Sequence, residues 1–431
     1  MRWTQWFVVL LVSGCDGGLE GANFTALAVA PSDPNVVYAS ADSVTAHLGI
    51  FRSDDGGVNW SRTDTSFDES RPVRSLGVSP LDSEVLLVAT EGGSLFRTRD
   101  GGGSWRRVAE GVPSGEVAYH PLRPEHAFFV GEDALLESGD GGSSWSEVAR
   151  APDCRPAQIT DLGFDPEDAA RMYALDSFGL WLTNDAGACW KRTVDGLQAR
   201  ELVVEPDRER RLWVVAEDGV YVSLDRGETF LPLVDWHQLL AWAEVPMEWI
   251  PGLIGPRSSA LVDTGGRRLL LVGTENVHVI GVDVDTVELI DLGHDLIRRG
   301  DTITDLQVLP GARVLAATAT TCKGNAAVFE ADLASRTWNT TNLVSQPYDA
   351  RGPIDDAISG RVIVRFFRNV GDDEQRALLE ENGAASLTPY IGPLWWIVEL
   401  DASVELDDAF EKFQELEQVD CVLEDVAVSP R

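Results

Sequence analysis

The sequence predicts a mainly β fold of repeated antiparallel sheets, followed by a small α+β domain. Three observations predict it: a short motif recurs at near-constant spacing, strand-like runs precede each copy, and the composition favours turns. The chain has 40 glycines, 14 tryptophans and only 3 methionines in 431 residues. Glycines suit tight turns, and tryptophans suit packing between sheets, so a helical bundle is disfavoured. The length exceeds one ordinary domain, so we expect two.

The repeated motif has the form Ser/Thr-x-Asp-x-Gly-x-x-Trp/Phe. The five copies are SDDGGVNW from Ser53, TRDGGGSW from Thr98, SGDGGSSW from Ser138, TNDAGACW from Thr183 and SLDRGETF from Ser223. Their starts lie 45, 40, 45 and 40 residues apart. Self-similarity at such a period indicates a structural unit repeated along the chain.

The chemistry of this motif is that of a turn. The aspartates can accept backbone N–H groups across a tight turn, the glycines suit backbone that a Cβ would hinder, and the aromatic residues can pack between sheets. The aspartates are Asp55, Asp100, Asp140, Asp185 and Asp225; the glycines are Gly57, Gly102, Gly142, Gly187 and Gly227; the aromatic residues are Trp60, Trp105, Trp145, Trp190 and Phe230. Because no copy brings an acid–base partner, we interpret these residues as structural rather than catalytic.

Each motif follows three strand-like runs, and its aromatic residue opens a fourth. In the first unit the runs begin at Phe24, Val36 and Leu48. Four antiparallel strands per forty residues describe propeller blades. Two further units, 258–293 and 303–344, keep the strand pattern without the motif, so residues 23–344 are predicted to form seven blades, with six as the alternative.

The motif resembles the Asp-box (BNR) repeat. The string VAPSDPNVVYASA before the first box resembles the propellers of sortilin-type receptors, photosystem II assembly factors and xyloglucan-hydrolysing glycosidases. The resemblance implies the fold over about 23–344, and much less about function. The Phe/Tyr-Arg-Ile-Pro motif of sialidases is not found ahead of the first blade. The basic patch that the photosystem factors imply conflicts with the acidity of this chain, so neither function transfers.

The last part of the chain changes pattern. Residues 345–354 read as a linker, and 355–431 read as strand, helix, two strands, helix, strand. The strings RVIVRF, ENGA, IVEL and VDCVLEDVAV resemble the propeptides of subtilisin-like proteases, which implies a ferredoxin-like βαββαβ domain. No protease follows it here, so the resemblance implies inhibition or chaperoning of a separate protease by strand addition. Reuse of a common fold for docking, or for packing on the propeller, is the alternative favoured by base rates.

The first residues read as a targeting signal. Residues 1–14 carry Arg2 and a short apolar run, and they end before Cys15 in Val-Ser-Gly-Cys, which resembles the lipobox of bacterial lipoproteins. The resemblance implies lipidation of Cys15, a tether over 15–22, and an exported protein anchored at the bacterial cell envelope. A secretory signal without lipid is the alternative. Four other cysteines, Cys154, Cys189, Cys322 and Cys421, permit two disulfides in three connectivities, or free thiols.

Charge and spacing exclude several classes of function. Lysine and arginine total 35 and aspartate and glutamate 70, for a net charge of −35. This charge repels phosphate backbones and anionic lipid, so we expect no nucleic-acid partner and no membrane contact besides the N-terminal lipid. Without CxxC, HxH or HExxH spacing we expect no metal site or cofactor, apart from calcium on the acidic surface at a position that the sequence does not locate.

Two groups of residues are candidates for binding or chemistry. The longest connection between units, 235–257, carries aromatic residues on the predicted open face: Trp236, His237, Trp242 and Trp249. It is interpreted equally as a ligand-binding insertion or as a plug for the channel. Asp161 and Asp305 begin matching strands, ITDLGF and ITDLQV, and could face each other across the channel as the carboxylate pair of an inverting glycosidase. The alternative, favoured by base rates, is that each caps the turn entering its strand.

These observations favour a non-enzymatic scaffold that binds a protein. A carbohydrate-active hydrolase that uses the channel carboxylates is the second hypothesis, with a glycan as ligand or substrate. An in-trans inhibitor or chaperone of a subtilisin-like protease is the third. The sequence leaves open whether any catalysis occurs, and it names no partner.

Overall fold

The structure, a computed structural model, describes residues 23–344 and 357–426, with gaps. The gaps are 43–46, 64–66, 68–70, 113–114, 132–134, 149–155, 157–158, 177, 207–210, 237–255, 275–278, 293–301, 320–325 and 334–336, then 367–371, 390–394, 402–403, 405–408, 410–411, 414–415 and 417–418. Within the described part, no helix is both long and apolar enough to cross a membrane.

Residues 23–344 form a propeller of seven four-stranded antiparallel sheets, each built from consecutive strands. Blade 1 has β1 (Asn23–Val29), β2 (Val37–Asp42), β3 (His47–Ser53) and β4 (Ser61–Arg62). Blade 2 has β5 (Val73–Val78), β6 (Leu86–Thr90), β7 (Ser94–Thr98) and β8 (Arg106–Glu110). Blade 3 has β9 (Gly115–His120), β10 (Arg123–Gly131), β11 (Leu135–Ser138) and β12 (Ser146–Glu147).

The remaining four blades follow the same order. Blade 4 has β13 (Ile159–Phe164), β14 (Met172–Asp176), β15 (Gly179–Thr183) and β16 (Lys191–Asp195). Blade 5 has β17 (Ala199–Val204), β18 (Leu212–Ala216), β19 (Gly219–Ser223) and β20 (Leu231–Asp235). Blade 6 has β21 (Pro256–Asp263), β22 (Arg268–Thr274), β23 (Val279–Asp283) and β24 (Leu289–Asp291). Blade 7 has β25 (Thr302–Leu309), β26 (Arg313–Ala319), β27 (Ala327–Asp332) and β28 (Thr337–Val344). The prediction of seven blades is confirmed, and the alternative of six is wrong.

The core lies between the blades. Seven apolar clusters each join two neighbouring blades, including blade 7 with blade 1. The box aromatic residues pack at the interface with the preceding blade, and Trp190 is buried there. Each blade alone would expose a hydrophobic face, so the ring of seven is the stable unit.

The five boxes form turns of one geometry, shown here for the third. Asp140 Oδ1 accepts the amide of Ser144 at 2.8 Å, and Asp140 Oδ2 accepts the Ser144 hydroxyl at 2.7 Å. The Gly142 amide donates to Ser138 Oγ at 2.8 Å, and Gly142 has φ 84°, where a Cβ would be strained. The same carboxylate-to-amide bond, at 2.8 or 2.9 Å, is made by Asp55, Asp100, Asp185 and Asp225.

The ring closes without a strand shared between the two ends of the propeller. Blade 7 is built entirely from β25 to β28, so it meets blade 1 only side by side. The Asp305 carboxylate accepts the Leu27 amide at 2.7 Å, and Arg313 donates to the Gly56 carbonyl at 2.9 Å. Closure therefore depends on side chains and on the apolar cluster between these blades.

Residues 357–426 contain a separate four-stranded antiparallel sheet. Its strands are β29 (Ala357–Phe366), β30 (Ala384–Pro389), β31 (Trp395–Leu400) and β32 (Val419–Val426), in the spatial order β30-β31-β29-β32. Helix α1 (Asp372–Glu381) follows β29, and residues 409, 412 and 413 are helical. Buried Leu379, Trp396 and Phe413 belong to one apolar cluster. The described elements occur in the predicted strand and helix order.

Candidate functional site: the propeller channel

The innermost strand of each blade lines the central channel. These first strands contact one another around the ring, from β1 through β5, β9, β13, β17 and β21 to β25. Since neighbouring strands are antiparallel, the box turns lie at one face of the ring and the first strands begin at the other. We call the opening at that second face the channel mouth.

Asp161 lies at the inner level of blade 4 and joins it to blade 5. Its Oδ2 accepts the amide of Leu202, on the first strand of the next blade, at 2.8 Å. Its Oδ1 accepts the amide of Leu162 at 2.7 Å. The carboxylate therefore does not cap the turn entering its strand. Burial raises the pKa of Asp161 to about 6, although the two amide bonds pull it the other way.

Asp305 does the same between blades 7 and 1. Its Oδ2 accepts the Leu27 amide, and its Oδ1 accepts the side-chain amide of Gln307 at 3.1 Å. Burial raises the pKa of Asp305 to about 6 as well, against the effect of those bonds. Both aspartates line the channel, as the hypothesis of a carboxylate pair requires, but in this structure both hold neighbouring blades together.

Two further carboxylates lie at this level, and sequence reasoning missed both. The Ser75 hydroxyl accepts the amide of Val117 at 3.2 Å, in the same way that Asp161 accepts the amide of Leu202. Val117 and Leu202 directly follow Glu116 and Glu201. Glu116 and Glu201 therefore occupy the equivalent position on β9 and β17, and the channel carries four carboxylates at one level. We call Glu116, Asp161, Glu201 and Asp305 the carboxylate ring.

In the carboxylate ring, ionisation of all four carboxyl groups at once is disfavoured. Desolvation, followed by the negative charges of Asp161 and Asp305, raises the pKa of Glu116 to about 8, and Arg74 opposes the shift. Desolvation, followed by the charges of Asp161 and Glu116, raises the pKa of Glu201 well above its usual range. Glu116 is nevertheless exposed to water in the channel, which opposes the desolvation. Among the described residues neither glutamate has a hydrogen bond or an ion pair, whereas both aspartates do.

Three arginines stand at the channel mouth, next to the ring. Arg74, Arg200 and Arg257 each occupy a bulge on a first strand, one residue before the ring level, and each is exposed. A bulge re-aims a side chain, here at the start of the strand. Desolvation, followed by the positive charges of Arg200 and Arg74, lowers the pKa of Arg257. The three cations therefore converge on one opening in a protein of net charge −35.

The arginines are partly balanced by acidic neighbours. Arg200 forms an ion pair with Glu217, and Arg74 lies 3.9 Å from Glu91. Arg74 and Glu91 also line a groove of about 180 Å³ between blades 1 and 2. The other residues of the groove are Asn23, Thr25, Asp42, Pro72 and Val73. Buried Asp42 accepts the Thr25 hydroxyl and the Val73 amide, so it is used structurally.

Of the four candidate residues in the 235–257 connection, the structure describes Trp236 alone. Trp236 is buried between blades 5 and 6, and its indole N–H donates to the Ala216 carbonyl at 2.8 Å. This leaves Trp236 no face for a ligand. His237, Trp242 and Trp249 lie outside the described residues, so their ligand-binding role stays a prediction.

The structure describes some of the residues on which the predictions about cysteines and metals depend. Cys189 is disulfide-bonded, whereas Cys15, Cys154 and Cys322 lie outside the described residues. Within the described ranges, no group of three or more His, Cys, Asp or Glu side chains could hold a metal ion.

Comparison with known proteins supports the fold. No protein-family model matches the chain. In sequence it is 28% identical over 165 residues to the xyloglucanase Xgh74A of Acetivibrio thermocellus, covering 29% of this chain and 20% of that protein. It is 28% identical over 92 residues to vacuolar protein sorting/targeting protein 10 of Colletotrichum graminicola, covering 20% of this chain and 6% of that protein. The chain thus spans a fifth or less of these relatives.

Solved structures match over a longer stretch. A structure of YCF48 bound to D1 peptide has a TM-score of 0.52 at 13% identity, covering 70% of this chain and 92% of that chain. YCF48 from Cyanidioschyzon merolae has a TM-score of 0.50 at 14% identity, covering 70% and 94%. At such identities the likeness shows that the propeller fold is shared.

Proposed function

We propose that the protein is an exported, lipid-anchored scaffold whose propeller binds a segment of another protein at the channel mouth. The observation that carries this proposal is the convergence of arginines from three blades on one opening, beside a ring of four carboxylates, while apolar side chains fill the spaces between blades. Charged groups gathered on a rigid scaffold are typical of recognition sites.

Two further observations support binding of a protein. The structure of YCF48, which has the same fold, holds a peptide. The Cys189 disulfide agrees with folding in an oxidising compartment, which an exported protein would reach. Cys15 as the lipid-bearing residue remains part of the proposal.

The experiment is affinity capture from the envelope and secreted fractions with the mature chain, its 23–344 fragment, and an Arg74→Ala/Arg257→Ala variant. Substitution of Leu81, which is exposed on the box face, by Ala is the matched control. We expect one partner that binds the chain, the fragment and the control but not the double variant. A partner that binds the double variant as well as the wild type would contradict the mouth as the site.

A carbohydrate-active hydrolase is the second candidate, because the matched sequence relatives include xyloglucanases. It would use Asp161 and Asp305. Both carboxylates already accept backbone amides, which opposes a role in proton transfer. Release of reducing ends from xyloglucan that disappears in Asp161→Asn and Asp305→Asn would establish this candidate over the scaffold; equal release by wild type and variants would remove it.

The third candidate places a subtilisin-like protease at the C-terminal sheet. It is supported by the strand and helix order of residues 357–426, in which β32 lies at an edge of the sheet. Strand addition at such an edge is a common mode of peptide recognition. We expect the whole chain to slow a subtilisin at stoichiometric concentration if this candidate holds, and the 23–344 fragment to have no effect. Full protease activity in a many-fold excess of the chain would exclude it.

A further inference from the structure

His120 ends the first strand of blade 3 and is fully buried at the joint with blade 4. Its imidazole packs against Phe164 of blade 4, with ring centroids 4.8 Å apart, and lies 6.4 Å from the ring of Phe128 in its own blade. The hydrogen-bond partners of a buried imidazole determine which of its nitrogens carries the proton. The partners of both ring nitrogens therefore define what His120 does at this joint.

The two ring nitrogens of His120 have opposite roles. Nε2 lies 3.1 Å from the carbonyl oxygen of Ala169, in the turn that follows β13 of blade 4. A carbonyl oxygen can only accept, so Nε2 carries the proton and donates across the joint. Nδ1 accepts the backbone amides of Leu122 and Arg123, at 3.1 and 3.3 Å. The site therefore fits the neutral imidazole, and a proton on Nδ1 would face two N–H groups.

The equivalent turns of the two neighbouring blades use other acceptors. The three turns begin with Ser79, His120 and Asp165, each followed by a proline. Asp165 Oδ1 accepts the amides two and three residues further on, at 2.9 and 3.0 Å, as His120 Nδ1 does. Ser79 Oγ accepts the amide two residues further on at 3.3 Å. A hydroxyl accepts at any pH and a carboxylate down to about pH 4, whereas an imidazole takes up a proton near neutral pH. Of these three turns, only that of blade 3 is held by a group that titrates in mild acid.

We propose that His120 makes the joint between blades 3 and 4 open in mild acid. Protonation of Nδ1 replaces an acceptor by a donor that faces two donors, so the imidazolium leaves its buried site. The bonds to Leu122, Arg123 and Ala169 are lost with it, while the equivalent turns of blades 2 and 4 keep theirs. This inference concerns the response of the fold to acid, so it does not depend on the proposed function.

The charged groups around His120 agree with this direction. Desolvation is the main cause that lowers the pKa of His120; Arg123 and His126 add to it, and the Ala169 carbonyl and Glu137 oppose it. Because the folded pKa lies below that of an unfolded histidine, about 6.5, the stabilisation by neutral His120 is complete above that value. It is lost as pH falls from there through the folded pKa. On the side of blade 4, the turn after β13 carries the charged residues Asp165, Glu167, Asp168 and Arg171.

The test is hydrogen exchange of the full chain, followed by mass spectrometry at about pH 7.5 and about pH 5 and corrected for the intrinsic exchange rate at each pH. In the wild type we expect protection of the turn after β9 to fall roughly tenfold, as uptake of one proton gives per pH unit. The equivalent turn of blade 4, which begins at Asp165, should keep its protection and is the internal control.

Two variants assign the response to one imidazole. In His120→Asn the fall should disappear, because the side-chain amide keeps an acceptor that does not titrate. His126→Asn is the matched control, since it changes a partly exposed histidine of the same blade that pairs with Glu137, and it should respond like the wild type.

Three exchange results would overturn the inference: equal wild-type protection at both pH values, a His120→Asn protein that responds like the wild type, or a response that His126→Asn abolishes. Imidazole nitrogen chemical shifts of the wild type provide a second readout that does not depend on the stability of a variant. They should show a proton on Nε2 alone at neutral pH and titration below the ordinary histidine pKa. A proton on Nδ1, or titration at or above the ordinary value, would contradict us.

Discussion

At each box turn one Asp carboxylate accepts hydrogen bonds from neighbouring backbone amides and hydroxyl groups. Asp140 accepts amides from Ser143 and Ser144 and two hydroxyl groups, all between 2.7 and 2.9 Å. The Ser144 hydroxyl, followed by the Ser144 amide, lowers the pKa of Asp140 to about 2. The charged form is therefore the one that stabilises the fold.

Asp140→Ala should destabilise the propeller by about 0.5–1.5 kcal/mol, because the exposed turn amides exchange the carboxylate for water. The effect should be seen as a lower urea midpoint at neutral pH. Glu110→Gln, an exposed change in the neighbouring blade, should leave the midpoint unchanged. An Asp140→Ala protein as stable as the wild type would show that water satisfies these amides equally well.

The same carboxylate predicts an acid limit to stability. Since the folded pKa of Asp140, about 2, lies below the unfolded value, its contribution is complete above that unfolded value and is lost as pH falls towards 2. Asp55, Asp100, Asp185 and Asp225 have lowered pKa values too. Thermal unfolding followed at about pH 5 and about pH 3 should show a large fall in Tm for the wild type and a smaller one for Asp140→Ala. Equal falls would contradict this account.

At the scale of the element, each box turn places its aromatic residue against the neighbouring blade. Trp190 is 2% exposed between blades 3 and 4, and its indole N–H donates to the Gly187 carbonyl. Trp190→Ala should cost about 3–5 kcal/mol, as expected for a large aromatic residue removed from a core. Trp60→Ala, at a half-buried equivalent, should cost clearly less. Calorimetric unfolding that shows equal losses would contradict the burial difference.

Blade closure is a second property of elements. Asp305→Ala should weaken the contact of blade 7 with blade 1, and Asp161→Ala that of blade 4 with blade 5. Hydrogen exchange should show roughly fivefold faster exchange, about 1 kcal/mol, in β1 and β25 for the first variant and in β13 and β17 for the second. Uniform acceleration in both variants would mean that these bonds do not act locally.

The elements also show how far sequence reasoning reaches. Period, strand order, box turns and blade number follow from local patterns, and the structure has them. Glu116 and Glu201 were missed although a signal existed: Glu116 precedes Asp161 by 45 residues and Glu201 follows it by 40, the spacing of the boxes in the same blades. The boxes alone do not mark this position, because it lies on the first strand of each blade, upstream of the box.

Other parts of the site could not be predicted from sequence. Arg74, Arg200 and Arg257 depend on bulges, which shift a side chain by one residue and leave no mark in composition. The use of Asp161 and Asp305 between blades depends on which amide of the next blade lies opposite, which is a property of the assembled ring. Trp236 looked like a ligand contact because a long aromatic connection follows it, but the contact between blades 5 and 6 buries it.

At the scale of the whole molecule, the net negative charge determines how fast charged molecules approach the protein. A net charge of −35 repels acidic molecules at a distance. Salt screens this repulsion, so moderate salt should speed association of an acidic probe such as a fluorescein-labelled oligoglutamate peptide. Stopped-flow association rates that fall steadily with salt would contradict this expectation.

Anchoring is a separate whole-molecule prediction. If Cys15 carries the lipid, Cys15→Ala should move the protein from the membrane fraction to the soluble fraction, because the acyl chains are the proposed anchor. Detergent partitioning of wild type and variant measures this. Glu110→Gln is a control that should stay with the membrane, and an unanchored wild type would favour the secretory signal instead.

The central claim, recognition of a protein at the channel mouth, is tested most directly by cross-linking the captured partner to the chain and locating the cross-links by mass spectrometry. The account predicts cross-links from the partner to the starts of the first strands, around Arg74, Arg200 and Arg257, and their loss in Arg74→Ala/Arg257→Ala. Cross-links confined to the box face or to residues 357–426, unchanged in that variant, would contradict it.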